Sequence, residues 1–334
     1  RRGRGPARAR DVAMSEVAPP DVHRPIASVP ERDVYRVLHF SDVHLENGFG
    51  QVAAREFMNK RMLGYVNLAL HRRPRFKLAE LKVRALPELI AREGVHIALC
   101  TGDYTAFGTW PELRFARQVV DSVVQATEAF VTVPGNHDLY MPDTLADGRF
   151  DQLFSDLMTS DLPELAGEDG WPRVRFFGDQ LAIVTFNSAR PNPSIRFSSG
   201  RIPDAQLEAL SATLSHPRLA GRFLLLATHY APRLANGSPD SLRHGLINAE
   251  DLLERCRGVE RGALCHGHLH ELYHVREPGL AIDLCCAGSA TYRGREGVWV
   301  YDIGREEAFA TPGVWTGQRY ELDPGRKVHL NVLQ

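Results

Sequence analysis

Five short polar clusters, each set directly after an apolar run, constrain this chain more than any other feature: Asp42 and His44, Gly102-Asp103, Gly135-Asn136-His137-Asp138, His229, and Gly267-His268-Leu269-His270. The runs Tyr35 to Phe40, Val95 to Thr101 and Phe130 to Pro134 are short, apolar and rich in β-formers, which predicts strands. Between them lie segments with helical spacing, among them Leu78, Leu81, Leu86, Leu89 and Ile90. Alternating strands and helices predict βαβ units in a largely parallel sheet. Polar residues at the C-terminal ends of such strands converge on one sheet edge, where open α/β sheets place their sites.

Further strands are expected at Val174 to Phe177, Leu181 to Asn187, Phe223 to Thr228, Gly262 to Cys265, Leu280 to Ala287 and Val298 to Ile303. The Gly178-Asp179 pair between two of them reads as a hairpin turn, so the second half adds antiparallel pairing. Helices are expected at Glu112 to Ala126 and Asp204 to Leu214. Residues 1–33 carry five arginines in the first ten positions, then Pro19, Pro20, Pro25 and Pro30 without apolar periodicity, and read as a flexible tail. Residues 34–334 read as a single domain, for which 43% hydrophobic content supplies a substantial core.

A formal net charge of -1 argues against a globally basic nucleic-acid binder. Five cysteines, an odd count with none in CxxC spacing, read as buried reduced thiols. With no apolar stretch long enough for a spanning helix, the expectation is a cytoplasmic protein.

A single loop histidine or aspartate is more often a solvated or capping residue than a metal ligand. Five such clusters in order, each at a strand's end, are poorly explained by accident. Carboxylate, carboxamide and imidazole donors without thiolate suit Mn, Fe, Zn or Ni in a catalytic site better than a structural zinc.

The series DxH, GD, GNHD, a lone H and GHLH resembles the calcineurin-like metallophosphoesterase superfamily, over about Val34 to Ile303, with bacterial cyclic-nucleotide phosphodiesterases as the nearest branch. The resemblance implies an α/β fold, a four-layer αββα sandwich with two mixed sheets. It implies two divalent metal ions, the first held by Asp42, His44 and His270, the second by Asn136, His229 and His268, with Asp103 bridging both. His137 is implied as the acid near the leaving group. The implied activity is hydrolysis of a phosphodiester or phosphomonoester of a small phosphorylated substrate by a metal-bridging hydroxide, since two cations lower the pKa of a shared water and clamp the phosphoryl oxygens. Many relatives carry a second aspartate three residues after the bridging one. Here Ala106 stands there, and Asp138 is the candidate to orient His137. Asp103 is followed by Tyr104-Thr105-Ala106-Phe107 rather than the GDxxDRG arrangement of phosphoprotein phosphatases. Suitable residue types at every ligand position argue against the alternative of a binding scaffold.

Sixty residues separate Asp42 from Asp103, enough for a basic and apolar insertion near residues 50–78. From Lys60 to Lys77 there are six Lys or Arg and no acid. A core-packing helix with a solvated basic end is one reading. A lid or a peripheral contact with an anionic membrane is the other, and it would suit a lipid-linked nucleotide pyrophosphatase. Arg190, Arg201, Tyr104, Tyr140 and Tyr230 are candidates to line the pocket, and His266 to support the GHLH motif.

Overall fold

Side-chain alternation in the first strand, β1 (Val34–Phe40), already separates two cores. Tyr35 and Val37 belong to one apolar cluster and Leu38 and Phe40 to another, as the two-residue period of a strand requires. The computed structural model describes residues 29–46, 73–192, 194 and 196–330. The first sheet runs on through β2 (Ile97–Cys100) and β3 (Ala129–Thr132), both parallel to β1. The second contains β4 (Arg173–Phe177), β5 (Leu181–Thr185), β6 (Phe223–Ala227), β7 (Gly262–His266), β8 (Leu272–Arg276) and β9 (Ile282–Ala287). The chain then returns to the first sheet with β10 (Val298–Gly304), β11 (Ala308–Trp315), β12 (Tyr320–Leu322) and β13 (Val328–Leu330).

Both sheets are mixed. The first has the order β12-β11-β10-β1-β2-β3, with β13 also on β11, and β10 meets β1 antiparallel. The second has the order β4-β5-β6-β7-β9-β8, parallel in its centre and antiparallel at both edges. Between the sheets lie Tyr35, Val37, Ile97 and Leu99 from the first and Leu225, Ala227, Cys265 and Cys285 from the second. Outside them, Leu38, Phe40 and Ala98 share a cluster with Val83 and Leu86 of the helix Ala79–Glu93 and with Val119 and Val120 of the helix Trp110–Ala126. Leu224 and Leu226 of the second sheet share it with Leu207 and Leu210 of the helix Asp204–Leu214 and Leu252 of the helix Ala249–Cys256. The result is the four-layer αββα arrangement.

Every apolar run named above forms a strand, and the β4–β5 hairpin turns at Gly178, whose φ is 53°. The helix Trp110–Ala126 starts one turn-end earlier than its apolar pattern because Thr109 and Glu112 cap it reciprocally. Four strands went unread. β8 is a half-exposed edge with His274 and Arg276 in it, β11 contains Pro312-Gly313, which demotes a run to non-strand by pattern, and β12 and β13 are three residues each. The tail to residue 28 and most of the basic and apolar segment, residues 47–72, lie outside the described residues. All five cysteines are buried and free, and burial pushes the thiols of Cys256, Cys265 and Cys286 up to about 12, which keeps them unreactive at neutral pH. No helix among the described residues is long and apolar enough to cross a membrane.

One buried group ties this core to pH. His39 lies between the sheets with Nδ1 3.0 Å from Tyr301 Oη and Nε2 3.1 Å from Thr101 Oγ1. Burial, aided by the neighbouring His266, pushes it down to about 3. The unfolded chain takes up that proton near pH 6.5, so stability is complete above this pH and is lost as pH falls toward 3. By pH 5 this group alone costs about 2 kcal/mol. Urea unfolding at pH 7 and pH 5 should show His39→Gln losing about 2 kcal/mol less than the wild type across that interval; equal losses would mean that His39 is not held neutral.

Candidate metal centre

Where β1 ends, the backbone enters conformations that L-residues avoid. Asp42 (φ 53°), His44 (φ 42°), Asp103 (φ 59°), His268 (φ 70°) and His270 (φ 51°) are the described non-glycine residues with positive φ. Each such residue costs roughly 1–2 kcal/mol, and strain of this kind gathers at functional sites. The loops after β1 and β2 are laced together while strained: the amides of Asp42, His44 and Leu45 donate to the carbonyls of Gly102, Asp103 and Tyr104 at 2.9, 3.0 and 2.8 Å. Two motif glycines serve close approach. A Cβ on Gly135 would overlap the Asp103 carboxylate, and one on Gly267 would overlap Ser41 Oγ and Asp42 Oδ2.

The first donor group comprises Asp42, His44, Asp103 and His270, whose ligand atoms all lie within 4.8 Å of one another. His44 Nε2 and His270 Nε2 are 3.0 Å apart. Asp42 Oδ1 is buried, has no hydrogen-bond partner, and sits 3.1 Å from His270 Nε2 and 3.8 Å from His44 Nε2. Burial alone would push the Asp42 carboxyl up, but His270 and His229 hold it below its ordinary value. In the second group, Asn136 Oδ1 is 3.1 Å from both His229 Nε2 and His268 Nδ1. Asp103 touches both groups, its Oδ2 lying 3.7 Å from His44 Nε2 and 3.5 Å from His229 Nε2.

Main-chain carbonyls set which nitrogen three of the four imidazoles turn inward. His44 Nδ1 faces Thr105 O at 3.2 Å, His229 Nδ1 faces Thr101 O at 2.7 Å, and His268 Nε2 faces His244 O at 3.0 Å. An N–H held by a carbonyl leaves a lone pair on the opposite nitrogen, the arrangement seen around metal-bound histidines. Burial drives His229 and His268 below their ordinary pKa, so both stay neutral, as ligands must. The His268 ring also packs against Tyr230 and His244, with centroids 4.2 and 4.4 Å away. Carboxylate oxygens, a carboxamide oxygen and imidazole lone pairs that converge with too few protons to satisfy one another fit divalent cations.

His137 and Asp138 divide their work differently from the expectation. The Asp138 carboxylate bonds to main-chain amides and to Thr105. Its Oδ1 accepts from the amides of Tyr104 and Thr105 at 2.9 and 3.1 Å and from Thr105 Oγ1 at 3.1 Å, and its Oδ2 from the amides of Asp103 and Gly135, both at 2.9 Å. Burial pushes Asp138 up to about 6 against the pull of those donors. It ties two donor loops together, since its acceptors bridge the loop after β2 and the loop after β3. The partner of His137 Nδ1 is the carbonyl of Ala106, at 2.6 Å. Ala106 thus supplies through its main chain a contact for which its side chain has no group.

Of the other candidates, Tyr140 stacks on His137 at 5.7 Å, while Tyr104 is buried against Thr132 and Tyr230 packs on His268. Arg190 bonds to Ser199, and Arg201 pairs with Asp204 at the surface. His266 is buried with neither ring nitrogen hydrogen-bonded. Phe76, in the short helix Arg73–Phe76, packs on His44 at 4.8 Å and on Tyr292 at 5.3 Å. It was not singled out, since one phenylalanine after a basic run carries no signal of its own.

Fold and donor set together define a metal-dependent phosphoesterase. The model of the calcineurin-like phosphoesterase family matches residues 35–272, and the chain belongs to that family. No curated protein matches the sequence. Among solved structures, the chain is similar to a dimetal phosphatase from Danio rerio, at 12% identity and a TM-score of 0.60, covering 90% of this chain and 99% of that one. It is also similar to the purple acid phosphatase PPD1 of yellow lupin seeds, at 11% identity and a TM-score of 0.56, covering 86% of this chain and 52% of that one. GAP50, the anchor in the inner membrane complex of Plasmodium, follows at 10% identity and a TM-score of 0.51, with 91% and 90% covered. At these identities the likeness is one of fold.

Proposed function

We propose that the chain hydrolyses a phosphodiester or phosphomonoester of a small molecule, with Asp42, His44 and His270 holding one divalent cation, Asn136, His229 and His268 a second, and Asp103 serving both. The observation that carries this reading is the position of Asp103 Oδ2, within 3.7 Å of one imidazole group and 3.5 Å of the other. Bound cations, whether Mn, Fe, Zn or Ni, would supply Lewis-acid polarisation of the phosphoryl oxygens and a nucleophilic water at neutral pH.

The chain's own residues bring the substrate's leaving group into the same frame. Asp103 Oδ1 accepts the His137 amide at 2.8 Å, so the shared carboxylate and the acid are fixed to each other by one hydrogen bond. With Nδ1–H given to Ala106, the position from which His137 can pass a proton to the departing oxygen is Nε2. Stacking on Tyr140 sets the plane of the ring. Phe76 packs on His44 and Tyr292 on His270, so aromatic rings line that side of the donor group.

Protein stripped with chelator should lose hydrolysis of bis-p-nitrophenyl phosphate and regain it with Mn. His137→Ala should retain the same Mn per chain while losing about 10²- to 10⁴-fold on alkyl esters and less on p-nitrophenyl esters, whose leaving group needs no proton. Equal losses on both would remove the acid role; absence of metal-dependent turnover on either would remove the hydrolytic reading.

A further inference from the structure

Two loops outside the five motifs meet beside the second donor group, and each touches one of its members. The loop before Gly200 brings Ser198 to Asn136, whose Nδ2 donates to Ser198 Oγ at 3.4 Å. The loop before Gly245 brings the His244 carbonyl to His268 Nε2. The two are paired through their backbones: Ser198 N to Arg243 O at 2.8 Å, Gly200 N to Gly245 O at 3.1 Å and Ile247 N to Gly200 O at 2.9 Å. Tyr230 Oη donates to Ser198 O at 2.9 Å, and the same tyrosine packs on His268. Gly200 leaves no room for a side chain, since a Cβ there would overlap the Tyr230 ring.

A carboxamide has two ends of nearly the same shape and opposite chemistry: the oxygen can bind a cation and the amino group cannot. The neighbours inside the cluster, His229 Nε2 and His268 Nδ1, both present lone pairs once their other nitrogens have donated to carbonyls. In the metal-free protein two lone pairs facing Asn136 would favour its amino end turning inward. We infer that Ser198 is a positioning residue that holds the Asn136 carboxamide with Oδ1 toward the second cation, by giving the amino group an acceptor on the outer side. The inference rests on the proposed ligand set. It adds a residue that never touches the cation and yet tunes how tightly the second one is bound.

The prediction separates the two cations. Mn²⁺ titration of metal-free protein by calorimetry, with the spin-coupled dimanganese signal read by electron paramagnetic resonance, should show two sites in the wild type. Ser198→Ala should weaken one site about 10- to 100-fold and lose the coupled signal at sub-saturating Mn²⁺, leaving the other site unchanged. Ser198→Thr, which keeps the acceptor, should restore both. In an Asn136→Asp background, where either end of the side chain is an oxygen, Ser198→Ala should have little further effect; a merely structural role would weaken binding in both backgrounds. A wild type that binds fewer than two Mn²⁺ overturns the ligand set and the inference with it. Two Mn²⁺ in the wild type with unchanged affinities in Ser198→Ala, or equal losses in the Asn136→Asp background, overturn the inference alone.

Discussion

Asp103→Asn should remove about three orders of magnitude or more from phosphodiester hydrolysis and leave fewer than two Mn²⁺ per chain after desalting. The side chain keeps its size, so the hydrogen bond from the His137 amide and the contact at Gly135 can persist. What is lost is the anion between His44 and His229. Charge stabilisation by a cation at a phosphoryl centre is worth several kcal/mol, and about 4 kcal/mol corresponds to ~10³ in rate. Metal analysis and steady-state rates on bis-p-nitrophenyl phosphate, measured on the same sample, check the claim. A variant that keeps both cations and stays within tenfold of the wild type would take Asp103 out of its shared position.

The second large effect falls on folding. Asp138→Ala leaves four backbone amides without their buried acceptor, while the Thr105 hydroxyl retains the His137 carbonyl at 3.2 Å. Each unsatisfied group costs about 1–3 kcal/mol when left buried, and such costs overlap rather than add, so a total near 4 kcal/mol is expected. For a chain of this size that lowers Tm by roughly 6 °C. Calorimetry on metal-free protein isolates the effect from cation binding. Had Asp138 served the imidazole of His137, turnover would fall and Tm would hardly move; a Tm change under about 2 °C with a large loss of turnover would restore that role.

The strands and the candidate donors were legible in the sequence because both announce themselves in side chains. Apolar runs such as Phe223 to Thr228 carry a pattern, and Asp, Asn and His after a run carry a donor chemistry. What stayed hidden is written in the main chain. Thr101, Thr105 and His244 orient three imidazoles through carbonyls, which every residue possesses and which no residue type advertises. The left-handed backbone of Asp42, His44, Asp103, His268 and His270 is equally silent, since these residue types give no reason to expect it in so many neighbours. Asp138 was legible as a candidate beside His137, but the bonds its carboxylate makes, to amides of residues 103–105 and 135, carry no mark in the sequence. Ser198, 62 residues from Asn136, has no motif to belong to. β11 was obscured by Pro312 and Gly313, which a strand tolerates near an edge.

The contact between Ala106 O and His137 Nδ1 has a consequence for how such an enzyme can be taken apart. No alanine scan will register it, because alanine is already there and the acceptor survives every side-chain exchange. A sequence signature that demands a carboxylate at this position passes over the chain although the imidazole is held. To weaken the interaction one has to edit the polymer itself: an ester in place of the amide that joins residues 106 and 107 makes the carbonyl a poorer acceptor while leaving every side chain as it is. Semisynthesis, more than mutagenesis, is the tool that can address this part of the machinery.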